Sequence, residues 1–82
     1  MNPDPNFLPK LVRAKMPFGK YKDRYIVNLP VHYLEFLARD GFKNDTLGQY
    51  LSTIYEIKIN GIEKILEPFI HEARLQDRLN SY

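Results

Sequence analysis

Eighty-two residues, 44% of them hydrophobic and 27% charged, allow one small globular domain and exclude both the large α/β catalytic scaffolds and a largely disordered chain. With no Cys, the chain has no disulfide, thiolate metal site or thiol nucleophile, which fits a reducing cytoplasm and leaves packing or a partner subunit to stabilise it. The net charge of +2 is unevenly spread: six cations against Asp23 give +5 between residues 10 and 24, the remainder sums to −3, and such a pattern suits a surface that meets an anion, most commonly a nucleic-acid backbone.

Residues 1–13 contain Pro3, Pro5 and Pro9, which fix φ and remove amide donors, so they read as an extended N-terminal arm anchored by Phe7 and Leu8. The arm has no apolar signal-peptide centre, and no apolar run nears the roughly 18 residues that cross a bilayer; the expectation is a cytoplasmic protein without a membrane partner. Residues 14–18 and 24–29 read as short strands joined by Gly19-Lys20-Tyr21-Lys22-Asp23, a β-hairpin in which Gly19 and Asp23 tolerate positive φ.

Pro30 opens a first helix over roughly residues 30–40, capped by Gly41, with Tyr33, Leu34 and Leu37 at helical spacing and Arg39 in the last turn. Thr46 and Gln49 have capping-box spacing and begin a second helix over residues 46–59, stopped by Asn60-Gly61. Ile62, Ile65, Leu66, Phe69, Ile70 and Ala73 carry a third amphipathic stripe, which must kink or restart at Pro68; residues 76–82 read as a frayed C-terminus. The expected class is α+β, a small hairpin packed on about three helices in one domain over residues 14–75.

Met16-Pro17-Phe18-Gly19-Lys20-Tyr21-Lys22-Asp23-Arg24, followed by Leu29-Pro30, Tyr33-Leu34 and Phe36-Leu37-Ala38, closely resembles a family of short bacterial proteins. That family is catalogued as a domain of unknown function and labelled "putative quorum-sensing-regulated virulence factor". Tyr55-Glu56-Ile57-Lys58 with Asn60-Gly61 resembles its second signature, so the likeness spans roughly residues 14–70. Asp23 stands where the family usually has Gly, and Phe36 where Trp is frequent. A shorter Phe-Gly-Lys-Tyr-Lys likeness reaches the accessory C-terminal segment of exodeoxyribonuclease X-like proteins. Neither resemblance carries catalytic residues, and likeness to a nuclease appendage does not imply nuclease activity.

Lys20, Lys22 and Arg24 alternate, so in an extended loop they project to one side while Tyr21 and Tyr25 take the other. The cluster can contact successive phosphates, and Tyr21 can stack on an unpaired base; the competing account is an exposed edge kept from pairing by its charges. Phe18 is expected in the core, Gly19 in the turn, and Glu56 in an ion pair with Lys20, Lys22 or Arg24, since no cation sits three or four residues from it on its own helix. Tyr33, Tyr55, Lys58, Asn60 and Gly61 complete the motif positions.

His32 and His71 lie on different helices without zinc spacing, the carboxylates form no general acid and base pair, and Gly19-Lys20 is no Walker motif, so neither a cofactor, a metal site nor catalytic residues are expected. The leading expectation is a non-enzymatic module that binds single-stranded or irregular nucleic acid through Lys20, Tyr21, Lys22 and Arg24. The alternative is a protein-interaction or regulatory adaptor, homodimeric through the third helix.

Overall fold

The computed structural model describes residues 4–80. Among the described residues there are four α-helices, α1 (Phe7–Arg13), α2 (Val31–Asp40), α3 (Thr46–Ile59) and α4 (Glu67–Leu79), with 3₁₀ turns at Ile26–Asn28 and Glu63–Leu66. Helix α1 packs along α4 and α2 packs on α3, while the turn Ile26–Asn28 touches both α1 and α3 and joins the two pairs. Leu11, Val12, Met16, Ile26, Leu29, Leu34, Ile54 and Ala73 are sealed from solvent or nearly so, and among the described residues no polar side chain is buried with them.

The fold is therefore all-helical, and the expected α+β class with its β-hairpin is wrong: among the described residues there is no strand or sheet. What remains of the hairpin is one antiparallel bridge, Lys15 with Tyr25, where the Met16 amide donates to the Arg24 carbonyl (2.8 Å) and the Ile26 amide to Ala14 (3.0 Å). Two features stop the ladder. Pro17 has no amide to donate, and Ile26, Val27 and Leu29 are all buried, a pattern that a coiled turn satisfies and a half-exposed strand, which alternates its faces, does not.

The expected extended arm also fails over Phe7–Arg13, which is a helix. Pro9 falls in its first turn, where a missing amide costs nothing, and Leu11 and Val12 are fully buried. The Asp4 carboxylate accepts the Asn6 amide (2.8 Å) just ahead of the helix; that bond, with the Lys10 ammonium at 3.4 Å, holds its carboxyl below the usual carboxylate range. Residues 1–3 of the expected arm, and residues 81 and 82 of the expected frayed end, lie outside the described residues, while α4 itself continues to Leu79.

Helices α2 and α3 match their expected spans, but the N-cap of α3 is Asp45, whose side chain accepts the Gly48 amide (2.8 Å), and not Thr46. The third stripe restarts as expected: a 3₁₀ turn precedes Pro68, which occupies the first turn of α4. A clamp ties α4 to the rest. The Arg74 guanidinium lies 3.5 Å from the Tyr25 ring centroid and donates to the Val12 carbonyl (3.1 Å), and Asp77 accepts from Arg13 (3.3 Å) and the Tyr25 hydroxyl (3.5 Å). Replacing Arg74 by Ala removes a charged hydrogen bond and a close cation–π contact, and is expected to cost about 2 kcal/mol, a fall of roughly 10 °C in Tm by thermal unfolding.

Candidate nucleic-acid interface

The loop between Met16 and Tyr25 is built from two overlapping turns. The Lys22 amide donates to Gly19 (3.1 Å) and the Arg24 amide to Tyr21 (3.0 Å), with φ of +80° at Gly19 and +69° at Asp23. Asp23 thus takes the conformation for which Gly is usual, at modest strain because Asp enters the left-handed region more readily than most residues. This loop is coiled, so the alternation that was to gather the three cations does not operate.

A different device gathers two of them. Tyr21 leaves the loop and packs on Tyr33 of α2, ring centroids 4.6 Å apart and planes tilted by 59°. Over the same Tyr21 ring lie the Lys20 ammonium at 5.6 Å and the Arg24 guanidinium at 5.1 Å. Attraction to an aromatic face at an exposed site is about 0.5–1 kcal/mol, enough to bias where the charges sit without neutralising them. Lys22 is exposed at the turn between them. Among the described residues, the ion pairs Lys10–Asp4 and Arg13–Asp77 use none of these three cations.

The aromatic side of the patch differs from expectation. Phe18, read as a core residue, is 56% exposed, because Met16 fills the core position beside it and Pro17 carries the chain outward. Tyr21, read as a stacking platform, is half-buried and its ring is occupied by Tyr33 and the two cations. The rings open to solvent are Phe18 and Phe36; Phe36 is 58% exposed and stacks on Tyr33 at 6.5 Å, one helical turn away. The signal for Phe36 was present in the sequence: Tyr33 and Phe36 share a helical face, while Leu34 faces the core.

The second signature is a helix terminus. At the end of α3 the Ile62 amide donates to Ile57 and the Gly61 amide to Lys58, both at 3.1 Å, with Gly61 at φ +65°: a Schellman cap, which Asn60 closes by donating its Nδ2 to the Glu56 carbonyl (2.8 Å). Tyr55 of α3 packs on Phe42 in the link that follows α2, centroids 6.0 Å apart. The Glu56 carboxylate is exposed and reaches none of Lys20, Lys22 and Arg24, so the expected ion pair is not made. Glu56→Lys is accordingly expected to shift stability by less than about 0.5 kcal/mol in a denaturant titration.

His32 and His71 are exposed, and among the described residues no group of three His, Cys, Asp or Glu side chains could hold a metal ion. No helix among them is long and apolar enough to cross a membrane.

A family model described as "Putative quorum-sensing-regulated virulence factor" matches residues 4–69, from α1 into the first turn of α4. The chain belongs to this family. It is also 37% identical over 62 residues to "Uncharacterized protein YpeB" of Escherichia coli K12, an alignment covering 74% of this chain and 86% of that protein, and equally similar to YpeB of Escherichia coli O157:H7. None of these matches carries the shorter likeness to exodeoxyribonuclease X-like proteins. No solved structure matches the chain. Both family signatures now have a place in the fold: the first makes the cation-bearing loop and its aromatic seat on α2, the second caps α3.

Proposed function

We propose that this protein is a non-enzymatic module that binds single-stranded or irregular nucleic acid on the face formed by the loop and α2. One observation carries the reading: Lys20 and Arg24 share the Tyr21 ring, unpaired with carboxylates among the described residues, beside the exposed rings of Phe18 and Phe36. Cations that track a backbone next to open aromatic faces are what a sequence-tolerant single-strand binder needs, since phosphates supply salt-dependent affinity and bases stack on the rings. Lys20, Lys22 and Arg24 take the phosphates in this reading, Phe18 and Phe36 the bases, and Tyr21 seats the cations. The test is a fluorescence-anisotropy titration of a labelled mixed-sequence single strand at two salt concentrations. Binding that falls steeply from the lower to the higher salt supports the proposal; salt-insensitive binding, or none at micromolar protein, rejects it.

A second reading, a homodimeric adaptor, rests on a different surface. Ile62 and Ile65 are about half exposed where the chain passes from α3 to α4, and Phe69 and Ile70 are only partly covered. Light scattering decides it: a monomer at high micromolar concentration removes this reading.

A further inference from the structure

A groove of about 320 Å³ opens between the end of α2, the link Gly41–Asp45 and the first turn of α3. Its walls are apolar, with Phe18, Leu37, Phe42 and Leu47 among them. The volume lies at the small end of ligand pockets, which run from ~300 to ~1,000 Å³, and suits one planar ring system; a docked helix needs more. Phe18 lines this groove and stands two residues from Lys20, so the groove adjoins the loop that bears the cations.

The groove's polar rim carries two carboxylates, Asp40 and Asp45, and one cation, Lys43. Asp45 spends one carboxylate oxygen on the Gly48 amide. Asp40 is exposed, ends α2, and makes no hydrogen bond or ion pair among the described residues, although Lys43 lines the same groove. A carboxylate at a helix C-terminus faces the negative end of the helix dipole, so local helix energetics do not account for Asp40. At the mouth of an apolar slot it repels phosphate and accepts N–H donors. A small apolar slot, an acceptor at its edge and a cation-bearing loop next door to hold a phosphodiester point to one class of occupant.

We propose that the groove receives a single unpaired base bearing an exocyclic amino group, cytosine above thymine, with Asp40 accepting from the amino group while Lys20 and Arg24 hold the adjoining phosphates. The inference rests on the nucleic-acid reading and adds a base preference to it. Anisotropy titrations with three labelled strands of equal length, oligo-dC, oligo-dT and an abasic backbone, separate the two. Oligo-dC is expected to bind about tenfold tighter than the abasic strand, with oligo-dT between them. Leu47→Phe, which fills the groove, is expected to bring oligo-dC down to the oligo-dT level while stacking on Phe18 and Phe36 keeps both above the abasic strand; the exposed Asp40 carries the same test if the filled variant does not fold. Asp40→Ala is expected to abolish the dC over dT preference and leave abasic binding unchanged or slightly tighter. Equal binding of oligo-dC and oligo-dT, or of oligo-dC and the abasic strand, overturns the base slot while leaving salt-dependent phosphate binding standing. Failure of all three strands to bind overturns both.

Discussion

Gly48→Ala is expected to be the most damaging conservative substitution in the chain. Gly48 sits in the first turn of α3, and a Cβ built on it would overlap the Lys43 carbonyl oxygen and lie 2.7 Å from its carbon. These are backbone atoms, so no side-chain rotation relieves the clash; the link Lys43-Asn44-Asp45 has to move. That link places Asp45, whose carboxylate caps α3 through the Gly48 amide itself, so one methyl group would displace both the loop and its cap. Overpacking typically costs 1–3 kcal/mol and cap loss about 1 kcal/mol, which together give roughly 3 kcal/mol, or a fall of more than about 10 °C in Tm. Against a total stability on the order of 5–15 kcal/mol, the folded population at physiological temperature would drop visibly. Chemical denaturation with an unchanged m-value and a lower midpoint is the expected signature. A variant as stable as the wild type would show that α2 and α3 are joined more loosely than this contact implies. The Gly41→Ala variant makes a useful comparison, because nothing lies within 4 Å of the Cβ position there and only its φ of +83° opposes the change.

The close approach at Gly48 also shows what the sequence hides. A glycine inside a helical pattern reads as a mild weakness, and only the folded chain reveals that the space is taken. Where information was local, reading it worked: α2 and α3, the stop at Asn60-Gly61 and the restart at Pro68 follow from side-chain periodicity, positive φ and a missing amide. Where the outcome depended on what was buried, it did not. Phe7–Arg13 looked like a proline-rich arm because its helix is only seven residues long and gains its stability by laying Leu11 and Val12 against α4, a long-range contact without a local signal. The hairpin failed for a related reason. Ile26, Val27 and Leu29 have strand propensity, yet they stand at the joint between two helix pairs, where all three can be buried only if the chain coils.

At the candidate site the residues were legible and their roles were not. Lys20 and Arg24 converge, though by sharing one ring and not by strand alternation, and the ring itself is spoken for by Tyr33. Phe18 and Tyr21 therefore exchange parts: the residue read as core is open to solvent, and the residue read as a platform is the one that packs. Propensity and charge patterning locate such a loop. They do not decide which of two neighbouring aromatics turns inward, because that depends on Tyr33 being one loop away in space and twelve residues away in sequence.

Replacing Lys20, Lys22 and Arg24 together by Ala is expected to weaken single-strand binding by tenfold or more at low salt while leaving the fold intact. Each phosphate contact on a single strand contributes about 0.7 to the slope of log K against log salt, so losing three should flatten that slope by about 2. The size of the slope change distinguishes phosphate contacts from an indirect loss of affinity, because a merely destabilised protein binds less but keeps its salt dependence. The three side chains are exposed, and what the protein loses internally is the attraction of Lys20 and Arg24 to Tyr21, about 1–2 kcal/mol in all at such sites. Thermal unfolding should accordingly fall by roughly 4–16 °C and stay cooperative. Single variants sharpen the test. If the Tyr21 ring is what organises the patch, Tyr21→Ala should lower affinity although it removes no charge, and Lys22→Ala, whose side chain lies off the ring, should lower the slope by about 0.7 without changing stability. An unchanged slope in the triple variant would mean that whatever nucleic acid the protein holds is held elsewhere, and the cations of this loop would then be solvated surface, keeping the bridge of Lys15 and Tyr25 from pairing with another chain.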